Sequence, residues 1–189
     1  MARRLILASA SPRREELLRR LGVSFSVVPS ALPEEPPLGT PEEAARTLAL
    51  AKARAVARRF SSEIVLGADT VVALGGVTFG KPVDSDDARR MLRMLMGRTH
   101  EVITGVALVE APARRETAAT VVTRVEMAEY GEEEIDAYLQ TGEPYDKAGA
   151  YAIQGLGGRL VARVDGCYTN VVGLPLETTR RLLEAWGVI

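Results

Sequence analysis

Residues 5–22 read LILASASPRREELLRRLG, and this stretch sets the class of fold. Residues 5–9 are an apolar run of strand length. Ser11-Pro12 then opens a segment that puts Leu17, Leu18 and Leu21 on one face, with Gly22 as its stop. Strand, tight turn and helix in immediate succession are the opening of an α/β protein.

Working outward, residues 24–28 alternate as a strand does. Residues 29–39 hold four prolines and the Glu34-Glu35 pair and read as a loop. Thr40-Pro41-Glu42-Glu43 is a capping box with proline at the first helical position, and its helix is expected to run to about residue 60. Residues 64–66 are a short apolar strand that ends in Gly67-Ala68-Asp69-Thr70, after which 71–74 and 77–79 flank Gly75-Gly76 as a hairpin. A helix from 84–87 builds on Met91, Leu92 and Leu95 and stops at Gly97. Residues 101–109 and 117–127 are β-rich and joined by a polar turn, which predicts an antiparallel pair. Residues 132–139 make a short helix with acids in its first turn. The glycine-rich stretch 145–158, a β-like run at 159–164 and a closing helix at 175–186 complete the chain. Helices and strands interleave without strict βαβ alternation, so the expectation is a mixed, curved sheet flanked by helices, in one domain spanning 1–189, with two lobes sharing the sheet.

Composition narrows the function. The 189 residues are 47% hydrophobic and 26% charged, and 24 basic against 25 acidic side chains leave a net charge of −1. No global field attracts nucleic acid or an anionic membrane, so any polyanion must meet a local cluster. No stretch has the apolar length of a membrane span. A single cysteine, Cys167, excludes an internal disulfide and a cysteine zinc site, and Met1 leads straight into the first strand. A cytoplasmic setting without a leader segment is expected. Of the basic residues only Lys52, Lys81 and Lys147 are lysine, the other 21 being arginine. Lysine differs from arginine as a compact point charge, so a phosphate site would keep it where a surface would not.

Four stretches could carry chemistry. Ser11, Arg13 and Arg14 sit at a helix start, where cations oppose the dipole unless an anion lies between them; the alternative is that the arginines pair with Glu16 or solvent. Asp69 is expected at the end of a buried strand, where side chains point into a cleft, although a turn-capping aspartate would read the same way. Lys81 lies between Gly80 and Pro82 in a loop that could bring an ammonium to a phosphate or be a plain surface turn. Residues 146–155, DKAGAYAIQG, combine small residues with Lys147 and Gln154; the small residues fit core packing equally well, and Gln154 offers the donor and acceptor that read a base edge. His100 and Cys167 support neither a metal cage nor a catalytic triad, and His100 is expected at a strand edge or in the core. Anion-binding groups with acidic loops at Glu34 and Asp69 suit hydrolysis of a nucleoside triphosphate, the carboxylates holding Mg²⁺ or Mn²⁺.

The ordered set LILASASPRREELLRRLG, ARTLALAKARAV, GADTVV, GKP, THEVITGVAL, YDKAGAYAIQG and VDGCYTNVVGLPL resembles the Maf family of nucleotide pyrophosphatases over nearly the whole chain. The resemblance implies an inosine-triphosphatase-like fold with a deep cleft, often homodimeric, and metal-dependent hydrolysis to the monophosphate and pyrophosphate. It implies Asp69 as proton acceptor, Ser11, Arg13 and Arg14 near the phosphates, and Lys52 and Lys81 as the family lysines. Glu34 would join Asp69 at the metal, although Pro33 stands where relatives carry an acid, which leaves Glu34 and Glu35 as alternatives. Arg13, Thr70 and Gln154 match the positions that divide the family. They resemble the branch acting on dTTP and UTP rather than the 7-methylguanosine triphosphate branch, which carries Trp and Glu at the first and last of them. A neutral pyrimidine imide needs a donor and an acceptor, as glutamine supplies. The competing readings are a 7-methylguanosine triphosphate pyrophosphatase and a non-enzymatic nucleotide sensor regulating septum formation.

Overall fold

The computed structural model describes residues 4–32, 39–111 and 115–189. One mixed sheet runs through it. Strands β1 (Leu5–Leu7), β2 (Phe25–Val27), β3 (Ile64–Leu74), β5 (Thr99–Glu110), β6 (Arg115–Met127) and β7 (Val161–Asp165) lie in the order β2-β1-β3-β5-β6-β7, and β4 (Val77–Phe79) pairs with the far end of β3. β1 is parallel to β2 and β3, while the other pairings are antiparallel.

The helices are α1 (Pro12–Arg19), α2 (Pro41–Ala57), α3 (Ser85–Leu95), α4 (Glu132–Gln140), α5 (Tyr168–Val172) and α6 (Leu176–Ala185). Their starts follow the local chemistry. Thr40 and Glu43 form the expected reciprocal capping box, and Asp84 caps α3 by accepting from the Asp87 amide at 2.8 Å. Short 3-10 turns occupy Glu143–Asp146, Ala148–Ala150 and Leu156–Leu160. No helix among the described residues is long and apolar enough to cross a membrane.

Strand alternation sorts the core onto the two faces of the sheet. Leu5, Leu7, Ile64, Leu66, Val106 and Leu108 pack with Leu17 and Leu18 of α1 and with Leu183 and Trp186 at the carboxyl end. Ile6, Val65, Ala107 and Val109 pack instead on α2 through Ala49, Ala53, Val56 and Ala57. A third cluster joins α3 and α4 to Val72, Phe79, Val102, Val125 and Tyr151.

The α2 contact is unusually close. A Cβ added to Gly67 would stand 2.3 Å from the Ala49 carbonyl oxygen, and one added to Gly105 would stand 2.2 Å from that of Ala45. The alanine face of the helix and the two strand glycines therefore let backbone rest on backbone. This explains one departure from expectation. Gly67 resembles a strand terminator in the sequence, yet β3 continues unbroken to Leu74 because the glycine serves the helix rather than a turn. α2 also ends earlier than expected, at Ala57, and the short helix α5 had no periodic signal of its own.

Gly105→Ala and Gly67→Ala should each cost about 1–3 kcal/mol or more of stability, since the clash is with main-chain oxygen and no side chain can rotate away. Urea unfolding checks this, and a change below about half a kcal/mol would show that α2 does not need that approach.

Candidate active site

The site begins as a gap in the sheet. β1 leaves β3 after Leu7 pairs with Leu66, and β4 joins it only at Val72, opposite Phe79. Between these points residues 67–71 of β3 meet no strand on that side among the described residues. A cleft of about 540 Å³ opens there, lined by the first turn of α1, by Asp69 to Val72, by Thr78 to Lys81, by Asp146 to Ala148 and by Tyr151 to Gln154. Asp69 is thus not at a strand end, as the sequence suggested, but in the middle of a long strand whose neighbour stops. Because successive side chains alternate, Asp69 faces α2 and Thr70 faces α1 and α5.

The close seating of α2 brings Lys52 to Asp69. Their Nζ and Oδ1 are 2.6 Å apart, with the residues only 5% and 7% exposed. Such a pair holds geometry well, because removing either partner strands a charge. Oδ2 of Asp69 accepts no hydrogen bond from the described residues, so one carboxylate oxygen remains for a ligand at the cleft.

The two arginines of α1 divide their work. Arg14 is a brace: its Nε donates to the Gly173 carbonyl at 2.8 Å and its Nη2 to Thr70 Oγ1 at 3.0 Å, with Nη1 3.4 Å from Ser9 Oγ. Thr104 Oγ1 donates to the Asn170 carbonyl, so the Thr70 hydroxyl, 2.9 Å from it, spends its proton on Thr104. Thr70 accordingly acts by holding Arg14. Arg13 lies in the cleft wall with Nη1 4.0 Å from Asp146 Oδ2. Ser11 caps α1, accepting from the Arg14 amide at 3.4 Å. The positive end of this helix faces the cleft, as an anion requires.

All three lysines line the cleft, each from a different element. Lys81 enters on the loop after β4, which the Gly149 amide holds by donating to the Gly80 carbonyl at 3.1 Å. Lys147 comes from the turn before Ala148, where its Nζ reaches the Glu143 carbonyl at 3.5 Å and the carboxylate of Asp146. Burial pushes the Asp146 carboxyl pKa up, but the Lys147 bond and charge, with Arg13 beyond, outweigh it and hold the pKa below its ordinary value. The sequence marks 146–155 as a stretch that could carry chemistry but assigns no role to Asp146 or Lys147 individually. The scarcity of lysine already singles out Lys147, whereas nothing local marks Asp146. Gln154 lies on the same wall beside Ile153 and Ala152. Glu34 and Glu35 lie outside the described residues.

Among the described residues no group of three or more His, Cys, Asp or Glu side chains could hold a metal ion. The donor set nevertheless suits a hard divalent cation that arrives with its ligand. Mg²⁺ is commonly held by one or two carboxylates, with phosphate oxygens and waters completing its shell, and Asp69 has an oxygen to give.

Behind the cleft, Tyr151 stands between the cavity and the core. Its hydroxyl is 2.7 Å from Nε2 of His100, a core residue 1% exposed whose Nδ1 has no partner among the described residues. Burial lowers the His100 pKa to about 4.

A helix start, a brace of hydrogen bonds and three lysines share one cleft with a buried carboxylate, which defines an α/β protein suited to a polyanion. The same architecture recurs in the structure of the Staphylococcus aureus Ham1 protein, which covers 97% of this chain and is itself covered completely, at a TM-score of 0.55 and 16% identity. Residues 4–186 match the Maf-like protein family, and the chain belongs to it. Its relatives include the dTTP/UTP pyrophosphatase of Moorella thermoacetica, 51% identical over 98% of this chain and 96% of the relative. That of Carboxydothermus hydrogenoformans is 46% identical over 97% and 99%.

Lys52→Met should destabilise the fold by about 2 kcal/mol, less than a fully interior pair because the cleft admits water, and adding Asp69→Asn should restore much of the loss. Chemical unfolding of the single and double variants measures this. For His100, the folded value of about 4 lies below the ordinary 6.5. Stability tied to the neutral ring is complete above about pH 6.5 and falls by up to about 3 kcal/mol as the pH drops towards 4. His100→Gln should flatten that acid limb in melting curves taken across the range.

Proposed function

We propose that this chain is a nucleoside triphosphate pyrophosphatase, hydrolysing dTTP and UTP to the monophosphate and pyrophosphate. Relatives that carry that name over nearly their full length support it, and they favour it over the 7-methylguanosine triphosphate and non-enzymatic readings. The observation that carries the reading is Asp69, anchored by Lys52 through one oxygen and open through the other, in a cleft that gathers every lysine of the chain.

In this reading Arg13, Lys81 and the amides of the Ser11-capped helix hold the phosphates, and Arg14 adds its charge while bracing Thr70. Lys52 keeps Asp69 in place. Asp69 accepts the proton of a water whose oxygen attacks the innermost phosphorus. The bond to the bridging oxygen breaks, and pyrophosphate leaves with its new charge met by the lysines. Asp69 and Glu34 would hold a Mg²⁺ or Mn²⁺ ion. When bound, such an ion neutralises phosphate charge and makes the phosphorus a better electrophile. Gln154 reads the imide edge of the pyrimidine, and Arg13 and Thr70 shape the path from base to phosphate. The protein works as a cytoplasmic homodimer of single-domain chains.

Pyrophosphate release measured on a nucleotide panel with Mg²⁺ or Mn²⁺ tests this. Asp69→Asn should lower kcat on UTP and dTTP by about a thousandfold or more with the fold intact, and equal activity in both proteins would remove Asp69 from the chemistry. Arg13→Ala should lower kcat/KM by about a hundredfold, the scale of a charge-assisted phosphate contact.

A further inference from the structure

Gln154 sits on backbone that has little reason to hold still. It is followed by Gly155, at φ +90, and then by Gly157 and Gly158. Glycine-rich chain pays a large entropic penalty for adopting one conformation. Yet a reader of base edges must place its amide within a few tenths of an ångström.

The restraint comes from below the loop. Glu143, in the 3-10 turn after α4, accepts from the Leu156 amide through Oε2 and from the Gly157 amide through Oε1, both at 3.0 Å. The Tyr138 hydroxyl, on α4, donates to the same Oε1 at 3.0 Å and accepts from the Ala152 amide at 3.1 Å. The segment is therefore pinned two residues before Gln154 and again two and three residues after it. The glycines make the fit possible: a Cβ at Gly155 would stand 2.6 Å from Glu143 Oε2, and one at Gly157 would stand 2.4 Å from the Tyr138 hydroxyl.

A carboxylate is the right group at the centre of this clamp. Three donors converge on it, and an ionised carboxylate only accepts. Burial raises the Glu143 pKa, but the two amides, Tyr138 and the Lys147 charge outweigh burial and keep the pKa below its ordinary value. The same turn carries Asp146 and Lys147 into the cleft, so the wall facing the phosphates and the wall facing the base share one anchor.

We propose that Glu143, with Tyr138, is a positioning residue for base selectivity: it locks the 152–157 loop so that Gln154 presents its amide to the pyrimidine. The proposal rests on the reading of Gln154 as the base contact. It says that discrimination between uracil and cytosine, which exchange donor and acceptor along one edge, depends on a residue that touches neither.

The test compares kcat/KM for UTP and CTP in wild type, Glu143→Gln, Gln154→Ala and the double variant. Glutamine keeps the length of Glu143 but turns one acceptor into a donor facing other donors. Glu143→Gln should lower the UTP:CTP ratio about tenfold, Gln154→Ala should lower it too, and Glu143→Gln should add nothing once Gln154 is gone. A ratio unchanged in Glu143→Gln but lowered in Gln154→Ala overturns the clamp and leaves the Gln154 reading standing. A further loss of the same factor in the double variant also overturns it, because Glu143 would then act on the fold at large. A ratio lowered by Glu143→Gln alone keeps the clamp and moves base reading to other groups of the loop, and a ratio unmoved by either removes both. Should Glu143→Gln lose its circular dichroism spectrum, Tyr138→Phe, which deletes one hydroxyl, decides by the same ratio.

Discussion

The structure depends on how closely α2 lies on the sheet. Two glycines in neighbouring strands and a row of alanines on the helix remove every side chain that would hold the backbones apart. The gain is partly dispersion, spread over many contacts. Its consequence is local. At that distance the Lys52 ammonium reaches Asp69, and a carboxylate that would be costly to bury alone is paired and aimed. A bulkier strand residue would push the helix out and separate the pair.

The second constraint is that β1 is short. A parallel neighbour that stops after three residues leaves the middle of β3 open on one side, and α1 begins at that point. Helix amides, arginines and the unpaired edge of a strand thus meet at one place. Thr70, Thr104 and Asn170 then connect Arg14 through the sheet to α5, so the α1 side of the cleft is held by buried and half-buried hydrogen bonds rather than by surface ion pairs. Surface pairs are plentiful, as with Arg93 and Glu132, but they are exposed and contribute little each. A chain of net charge −1 gathers all three of its lysines and two arginines at one cleft without carrying an excess of cations.

Most elements were legible because their signals are local. The capping box at Thr40, the Gly75-Gly76 turn and the two long β-rich runs need only near neighbours in the chain, and each element forms where its residues point. Asp69 was legible as a site residue but its setting was not. Gly67 reads as a break to any local rule, and only contact with α2, packed from elsewhere, shows it to be a spacer. For Arg14 and Thr70 the residue types were legible, but the hydrogen bonds that tie them to each other, to Gly173 and to Thr104 were not. Glu143 carried no signal, since its partners are main-chain amides that composition cannot reveal.

The sequence by itself determined the interleaving of helices and strands, the scarcity of cysteine and histidine, and the short list of lysines. These follow from residue types and spacings, which act over one or two turns of chain. Which lysine meets which carboxylate, which arginine stays at the cleft wall and which loop is pinned were decided only by the tertiary structure. Those pairings span tens of residues, and they depend on the distance at which one backbone packs against another.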